Sequence, residues 1–321
     1  MRRMLPVTAL LLASLALGAC TSGATPLPSS AAPSVAASVA PAIGPSIIPS
    51  VAPSASPDAC AVASLKLTTA GKLTSGTDNP AYPPYYDIPA SATKPWELGD
   101  PTDGKGFESA FAYALAAKLG FAKTDVTWIV VPFDNSFAPG TKKFDIDINQ
   151  VSYKPERAAS ADLSDGYYNL NQSIVAIKTN GLAAVTSIAG MKGFKFGAQL
   201  GTTSLDTINT VIAPTAAAKV YTTNDEAIAG LNAKQIDGLV VDLPTAFYVT
   251  GAPQVKNSVI VGQFPAPTGA DAEHFSVVLD KGSTLTSCVN AAIGAMKSDG
   301  SLDAITKEWL SDKASAPILQ P

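Results

Sequence analysis

The amino-acid sequence predicts an α/β protein, and two observations lead to this prediction. Downstream of Cys60, apolar runs with strand character alternate with segments of helical period, which is typical of α/β folds with mostly parallel sheets. The 321 residues are 46% hydrophobic and only 15% charged, with three cysteines, which excludes a chain that is disordered throughout and a disulfide-dense class. The length allows one large domain or two of ordinary size.

The charge balance limits the kinds of partner. Lys and Arg total 22 against 26 Asp and Glu, which gives a net charge of -4. No basic field is available to hold a nucleic acid, so a small neutral or cationic partner fits better. The single histidine, His274, and the lack of a Cys-x-x-Cys spacing predict no metal site, and we expect no cofactor.

Residues 1–19 are predicted to be a secretory signal peptide. Two arginines precede an apolar stretch from Leu5 to Leu17, which is shorter than the roughly 20 residues needed to cross a bilayer. The stretch ends in Leu-Gly-Ala-Cys, which resembles the bacterial lipobox, so Cys20 is predicted to carry lipid and to anchor the protein to the outer face of the cell membrane. The alternative is an ordinary signal peptide in which this cysteine is incidental.

Residues 20–59 are predicted to be a linker rich in Pro, Ala and Ser. Residues 21–57 contain no charged residue and few large side chains, so they offer little for a packed core. A flexible coil of this length spans roughly 35 Å, and a fully extended one roughly 120 Å. The segment would tether the folded region to the membrane, as would the alternative, a glycosylated stalk.

In the first part of the folded region, residues 73–77 are predicted to form a strand that runs into a turn rich in Pro and Tyr. A helix is predicted over 107–118, where apolar residues recur at helical spacing before Gly120. The β-branched and aromatic residues 126–131 predict a second strand, and the alternation over 144–148 predicts a half-buried one. The segment 133–140 between them is predicted to be a loop.

The second part continues the alternation of strands and helices. The predicted strands are 194–198, 220–222, 238–242 and 275–279. The predicted helices are one from Leu205 onward, one over 225–231 capped by Asn224, and closing helices over 287–296 and 302–310. Ligands bind at the carboxyl ends of strands in open sheets, so Asp242 and the turn over 201–204 are candidate ligand-binding positions.

The remaining cysteines, Cys60 and Cys288, form an even pair in an exported chain. An oxidising compartment favours a disulfide between them. Two buried free thiols are the alternative.

Several short segments follow one another in a consistent order. Two of them are Ser-Tyr-Lys-Pro-Glu-Arg-Ala at 152–158 and Asp-Gly-Leu-Val-Val-Asp at 237–242. The others are 76–78 with 82–84, 106–108 with 118–120, 163–168, 201–204, 224–227, 281–283, 288–290 and 299–300. Together they span nearly all of residues 72–310, and they resemble the polar amino-acid solute-binding proteins of ABC importers, the bacterial extracellular solute-binding proteins of family 3.

The resemblance implies the type 2 periplasmic-binding fold, in which two α/β lobes with central mixed sheets are joined by two crossing hinge strands. Mapped onto this chain, lobe 1 is 60–169 and 270–321, and lobe 2 is 170–269. Cys60 and Cys288 would then both belong to lobe 1. The implied function is amino-acid transport without chemistry, in which a monomeric lipoprotein captures a free amino acid in its cleft and delivers it to a membrane permease.

A free amino acid needs a cationic partner for its carboxylate and acceptors for its ammonium. At positions matching the family, Arg157 would bind the carboxylate, because a guanidinium offers a planar, bidentate fork. Ser152 would add a donor, and Thr202 and Thr203 would meet the same carboxylate from lobe 2. The ammonium would be bound by the following two residues: Gln150, through its carbonyl, and Asp242.

The resemblance also implies a subsite for the ligand side chain. Its aromatic wall would be formed by Tyr82, Tyr85 and Phe133, and Asp78 stands where relatives contact the ligand side chain. A carboxylate there favours a polar or basic amino acid, with arginine, lysine, histidine and glutamine ahead of leucine or valine. Asp78 could instead be satisfied by backbone donors in its own Asp-Asn-Pro turn, and the three rings could serve core packing alone.

Arg157 and Asp242 could each have a purely structural role. Arg157 could form a surface ion pair with Glu156 or Asp162, and Asp242 could cap the helix before Pro244.

Three departures from the family pattern bear on specificity. Gln150 stands where a small residue is common, and Lys154 stands where Thr is usual. The segment 133–140 departs from the helix-forming sequence that is usual in the family.

Two further functions are compatible with the sequence. Some proteins on this scaffold are dehydratases or lyases that use a buried glutamate as general acid or base, and the candidates here are Glu97, Glu108 and Glu273. Glu108 is expected instead to cap the helix start. The second such function is that of a ligand-sensing surface lipoprotein that works without a transporter.

Overall fold

A computed structural model describes residues 57–91, 93–252, 254–266, 272–310 and 315–321. The predicted signal peptide, the lipidation site Cys20 and nearly all of the predicted linker lie outside these ranges. Within these ranges, none of the helices combines the length and the apolar character that a membrane span requires.

Twelve strands and eight α-helices are found in the described part of the chain. The strands are β1 (Leu73–Thr77), β2 (Val126–Val130), β3 (Ile146–Asp147), β4 (Asp162–Leu163), β5 (Tyr168–Asn169), β6 (Gln172–Ile177), β7 (Phe196–Gln199), β8 (Lys219–Tyr221), β9 (Gly238–Asp242), β10 (Ser258–Gln263), β11 (His274–Phe275) and β12 (Val278–Leu279). The helices are α1 (Phe107–Lys118), α2 (Phe133–Ser136), α3 (Pro155–Ser160), α4 (Thr203–Thr207), α5 (Asn224–Asn232), α6 (Leu243–Gly251), α7 (Thr286–Ser298) and α8 (Ser301–Leu310). A π-helical turn over Ile208–Ile212 continues α4.

The strands form two five-stranded sheets and one two-stranded ribbon. The first sheet has the order β2-β1-β3-β12-β4, and the second has the order β10-β6-β9-β7-β8. Both sheets are mixed: β12 runs antiparallel to β3 and β4, and β6 runs antiparallel to β9 and β10. The expectation of mostly parallel sheets is therefore wrong, whereas the mixed sheets implied by the family resemblance are present.

The ribbon of β5 and β11 lies where the chain leaves the first sheet and where it returns to it. We refer to the first sheet with α1, α7 and α8 as the first lobe, and to the second sheet with α4, α5 and α6 as the second lobe. Each lobe has its own core. Phe107, Phe111 and Ile293 are fully buried in the first, whereas the second sheet has one cluster around Phe196 and another around Leu239.

The predicted disulfide between Cys60 and Cys288 is present, with a Cα–Cα distance of 5.5 Å. It joins the first described helical turn, Pro57–Cys60, to α7. Both cysteines contact the core of the first lobe, so the bond lies within one lobe.

Several predicted element boundaries are corrected by the structure. Residues 144–148 are all buried, because Ile146 faces the main core of the first lobe while Phe144 lies in a second cluster with Val278. The half-buried strand predicted there is therefore wrong, and only β3 is regular.

Two helix starts also differ from prediction. The cap of α5 is Thr223 rather than Asn224, because the Thr223 side chain accepts from the Glu226 N–H at 3.2 Å. α4 begins at Thr203, two residues before the predicted Leu205. Inside the segment 133–140, predicted to be a loop, α2 forms one helical turn.

Candidate ligand-binding site

A cavity of about 120 Å³ lies between the two lobes. It is lined by residues that follow the carboxyl ends of β1 and β7 and by Asp242, which ends β9. Its volume is well below the roughly 300–1,000 Å³ of drug-sized ligand pockets, which favours a small solute. Nine of the ten predicted site residues line it: Asp78, Tyr82, Phe133, Gln150, Ser152, Thr202, Thr203, Arg157 and Asp242.

Arg157 lies in the first turn of α3 and is only 5% exposed. Its Nη1 donates to the Ser152 carbonyl at 2.5 Å, and its Nη2 donates across to the Gly201 carbonyl at 2.8 Å. The ion pair considered with Glu156 or Asp162 does not occur, and none of the described carboxylates lies within 4.0 Å of this guanidinium.

Burial lowers the pKa of Arg157 to about 10, and the negative charges of Asp206, Asp242 and Glu273 oppose this decrease. The guanidinium therefore stays charged at neutral pH. From residue 4 to the C-terminus, Arg157 is the only arginine in the sequence. The presence of a single arginine in this long stretch is a sequence signal that points to Arg157 independently of any motif.

The polar network beneath the cavity is organised by Gln172 of β6. Its Nε2 donates to Asp242 Oδ1 at 2.6 Å and lies 3.1 Å from Glu273 Oε1. Its Oε1 accepts from the Ser204 hydroxyl at 2.6 Å. The Ser152 hydroxyl donates to Glu273 at 2.7 Å. Gln172 was not predicted as a site residue because its strand was not predicted.

Asp242 stands at the cap position of α6, but its side chain makes no capping hydrogen bond. Burial, and after it the charge of Glu273, raises the pKa of Asp242 to about 8, although the hydrogen bond from the Gln172 amide opposes the increase. The Asp242 carboxylate therefore does not cap α6, so the structural role considered for this residue is wrong. It lies in the cavity lining instead.

Thr202 and Thr203 lie at the start of α4. The Thr202 hydroxyl donates to the Gln199 carbonyl at 2.8 Å and accepts from the Leu205 N–H at 3.2 Å, so Thr202 caps the helix. The first N–H groups of a helix have no acceptor within it. The second lobe thus brings backbone donors to the cavity wall.

Asp78 and Tyr82 line another side of the cavity, together with Asp225 of the second lobe. Asp78 Oδ1 accepts from the Asn79 N–H at 2.8 Å, which is the local backbone contact considered for this turn. Burial raises the pKa of Asp78 nevertheless. The Tyr82 ring lies 6.1 Å from that of Tyr248, and burial, together with the charge of Asp225, raises the pKa of its hydroxyl. Asp225 was not among the predicted site residues.

Tyr85 does not line the cavity. It is 1% exposed, its ring lies 6.0 Å from Phe275, and its hydroxyl is 3.2 Å from Thr245 Oγ1. The next residue, Tyr86, lines the cavity and donates to the Ile148 carbonyl at 2.5 Å. The aromatic wall predicted for Tyr85 is therefore corrected: the turn directs that side chain into the core.

Glu108 is fully buried beneath Gln150 and does not cap the start of α1. Its Oε1 accepts from the Gln150 N–H at 2.9 Å, and it also accepts from the Gln150 side-chain amide and the Tyr167 hydroxyl. Burial raises the pKa of Glu108 to about 7. These contacts hold Gln150 in the left-handed backbone region, with φ of 51°. Of the other candidate acids, Glu97 is exposed.

The comparisons with known proteins agree with this architecture. The model of the bacterial extracellular solute-binding proteins, family 3, matches residues 89–312, which is more than half of the chain. The arginine-binding extracellular protein ArtP of Bacillus subtilis is 24% identical over 255 residues, covering 78% of this chain and 95% of that protein. The glutamine-binding protein GlnH of the ABC transporters of Bacillus subtilis is 30% identical over 177 residues, covering 54% of this chain and 61% of that protein.

Among solved structures, an ancestral arginine-binding protein bound to glutamine is similar with a TM-score of 0.60 and 30% identity, covering 75% of this chain and 98% of that one. The predicted two-lobed α/β fold is therefore confirmed. The matched proteins are named as binding proteins for amino acids. On the family model and these likenesses, the chain belongs to the bacterial extracellular solute-binding proteins, family 3.

Proposed function

We propose that this protein is the extracytoplasmic substrate-binding lipoprotein of an ABC importer, which captures a free, polar or basic amino acid between its lobes and delivers it to a membrane permease. The proposal is supported by the membership of the family and by a cavity that carries groups of both charges. The polar and basic amino acids in the names of the matched relatives point to the same ligand class.

The observation that carries the proposal is Arg157. A buried ionised side chain is costly unless a partner of opposite charge completes its environment. Within the described ranges the guanidinium has two carbonyl acceptors but no carboxylate, although it borders the cavity. The carboxylate of a free amino acid supplies the missing partner, with backbone N–H groups near Thr202 and Thr203 as further donors.

The ammonium group needs negative charge and acceptors close to the carboxylate site. Asp242 provides the charge, and Gln150 offers its carbonyl at a position that Glu108 holds in place. Binding a cation beside Asp242 favours its ionised form, so ligand binding releases protons wherever Asp242 is still protonated.

The subsite for the ligand side chain is formed by Asp78, Asp225, Tyr82 and Phe133. Carboxylates from opposite lobes, Asp78 and Asp225, both line the cavity. Their natural complement is a cationic or donor-bearing side chain, and the rings can contact its aliphatic stem or a guanidinium plane. Ser152 contributes less directly, because its hydroxyl already donates to Glu273.

The remaining parts of the proposal follow the chain. We assign residues 60–169 and 270–310 to lobe 1 and residues 170–269 to lobe 2, with the ribbon of β5 and β11 at the hinge. The described C-terminal residues 315–321, which the sequence placed in lobe 1, instead pair with the end of β10, and Leu319 is buried in the core of the second lobe. Lipid on Cys20 and the linker over 20–59 would hold a monomer near its permease. An enzyme on this scaffold is less well supported, because neither Glu108 nor Glu273 lines the cavity.

The first test replaces Arg157 with Ala and measures amino-acid affinity by calorimetry. We expect a loss of about 2–5 kcal/mol of binding free energy, because the ligand carboxylate would be buried without its partner. Lys281→Ala is the matched control, since Lys281 lies outside the cavity and pairs with Asp162 at 3.4 Å on the surface. Unchanged affinity in a folded Arg157→Ala variant would exclude this residue from the site.

A second measurement addresses the ligand class. We expect arginine, lysine, histidine or glutamine to raise the melting temperature of the wild-type protein, because a ligand at 100 times its dissociation constant adds about 2.7 kcal/mol to stability. Tight binding of leucine without any response to those four would show that Asp78 serves only its own turn and that the ligand class is wrong.

A further inference from the structure

The guanidinium of Arg157 contacts two aromatic rings as well as its two carbonyl acceptors. Its central carbon lies 4.5 Å from the ring centroid of Phe137 and 5.4 Å from that of Phe133. The two rings meet edge to face, with centroids 5.3 Å apart. The N–H groups of the guanidinium make the hydrogen bonds, whereas the aromatic rings attract its positive charge through their π systems.

The rings are brought together by α2, the short helix in the segment that departs from the family pattern. Phe133 is the first residue of α2, and Phe137 directly follows its last residue. Positions four apart lie on the same side of a single helical turn, so the turn brings the two rings together. The turn is fixed by the Ser136 hydroxyl, which donates to the Phe133 carbonyl at 2.7 Å. Both rings pack against the cluster of Val131, Phe144, Val151, Ala161 and Val278.

The two rings differ in their access to the ligand. Phe133 lines the cavity between the lobes, whereas Phe137 is absent from its lining. Phe137 instead borders a separate outer pocket behind Arg157. A ligand in the cavity would touch Phe133 but reach Phe137 only through Arg157.

We propose that Phe137 is a positioning residue for ligand recognition: its ring fixes the plane of the Arg157 guanidinium so that the remaining N–H groups face the carboxylate of a bound amino acid. This inference rests on the proposed function of the cavity. A π face also stabilises a buried cation that has no carboxylate beside it. Arg157 is only 5% exposed, and this burial lowers its pKa. A cation–π contact is strongest for such a desolvated cation.

The test compares Phe137→Leu, which keeps an apolar side chain but removes the π face, with Phe137→Tyr, which keeps that face. Phe144→Leu is the matched control, because Phe144 lies in the same cluster but is not among the rings that contact Arg157. The probes are L-arginine and L-glutamine and their α-amides, L-argininamide and L-glutaminamide, which lack the carboxylate. Affinities are measured by calorimetry on the full chain.

Phe137→Leu is expected to weaken binding of the acid by about 5- to 30-fold, as for a desolvated cation–π contact, and binding of the amide by less than about 2-fold. Phe137→Tyr should bind the acid with wild-type affinity. Phe144→Leu should not weaken binding of the acid more than binding of the amide. Equal losses for acid and amide would mean that Phe137 has only a structural role, and unchanged acid binding would overturn the proposal.

A readout without ligand separates this inference from the proposed function. The full chain has three arginines, Arg2, Arg3 and Arg157, so arginine-selective ¹⁵N labelling gives few side-chain signals, and Arg157→Lys identifies the one of interest. Phe137→Leu should shift that signal and speed rotation of the guanidinium, whereas Phe144→Leu should not. If the wild type binds none of arginine, lysine, histidine and glutamine, the proposed function fails. An unchanged Arg157 signal in Phe137→Leu would overturn the positioning role whatever the ligand.

Discussion

Three buried carboxylates lie close to the cavity, and burial raises the pKa of each. It reaches about 7 for Glu108 and about 8 for Asp242, and it lies well above the ordinary value for Asp147. Glu108 and Asp242 have hydrogen-bond donors that favour their ionised forms. Asp147, at the end of β3, has no hydrogen-bond partner for either oxygen among the described residues.

We expect Asp147→Asn to stabilise the protein at neutral pH by about 1.4 kcal/mol for each pH unit above about 4 at which the folded wild type keeps its carboxyl protonated, because the amide is neutral without binding a proton. As pH rises above about 4, the unfolded chain loses this proton while the folded chain keeps it, because the pKa of Asp147 is raised in the fold. The folded state then binds more protons, so wild-type stability falls with rising pH.

The check is the difference in unfolding free energy between variant and wild type, measured by urea titration from pH 4 to pH 8. The difference should grow as pH rises. Asp165→Asn, at an exposed position, is the control and should leave the pH profile unchanged. A constant difference across this range would contradict the raised pKa of Asp147.

At the scale of elements, the disulfide is the main covalent constraint on how α7 joins the first lobe. It closes a loop with a sequence separation of 228 between Cys60 and Cys288. Since both cysteines contact the same core, the bond restrains the unfolded chain without linking the two lobes.

We expect the double variant Cys60→Ser, Cys288→Ser to lose up to about 5 kcal/mol of stability, the chain-entropy limit for so long a loop. Amino-acid affinity should change little, because the cavity lies elsewhere. Denaturant midpoints with and without reductant measure the first effect, and calorimetry measures the second. A strong loss of affinity in the folded variant would show that the disulfide also shapes the cavity.

At the scale of the whole molecule, direct contacts join the two lobes around the cavity. Tyr82 packs on the core of the second lobe, and Arg157 donates to the Gly201 carbonyl. At the edge of the cleft, Lys154 pairs with Asp206 at 2.5 Å, with side chains 25% and 49% exposed. If the lobes close over a ligand as proposed, closure would depend on these protein contacts as well as on the ligand itself.

Lys154→Ala is expected to weaken amino-acid binding by no more than about 5-fold, because an ion pair this exposed is worth about 0.2–1 kcal/mol. High salt should remove the difference, since screening weakens the wild-type pair. Lys118→Ala is the control: Lys118 pairs with Asp299 at 2.5 Å with similar exposure, but both ends belong to the first lobe. Equal weakening in both variants would argue against a role of Lys154 in closure.

Much of the fold was predictable because its signals are local. The strand over 73–77 and the helix over 107–118 depend on β-propensity, helical spacing and a stop signal, all of which lie within one segment. β6 and β10 were missed although each has six residues. β6 is buried along nearly its whole length, so it lacks the alternation that identifies a half-buried strand, and its partner strands lie far away in the sequence.

The sequence by itself determined the family, the α/β class and nine of the residues that line the cavity, because most of them belong to short motifs whose residue types carry the chemistry. Only the tertiary structure decided that Tyr85 turns into the core, that Gln172 joins Asp242 to Glu273, and that Phe137 contacts Arg157. Those outcomes depend on which segments, distant in the sequence, pack against one another in the fold. That sharing is decided by packing and by the pairing of buried polar groups across the whole chain, which no local pattern encodes.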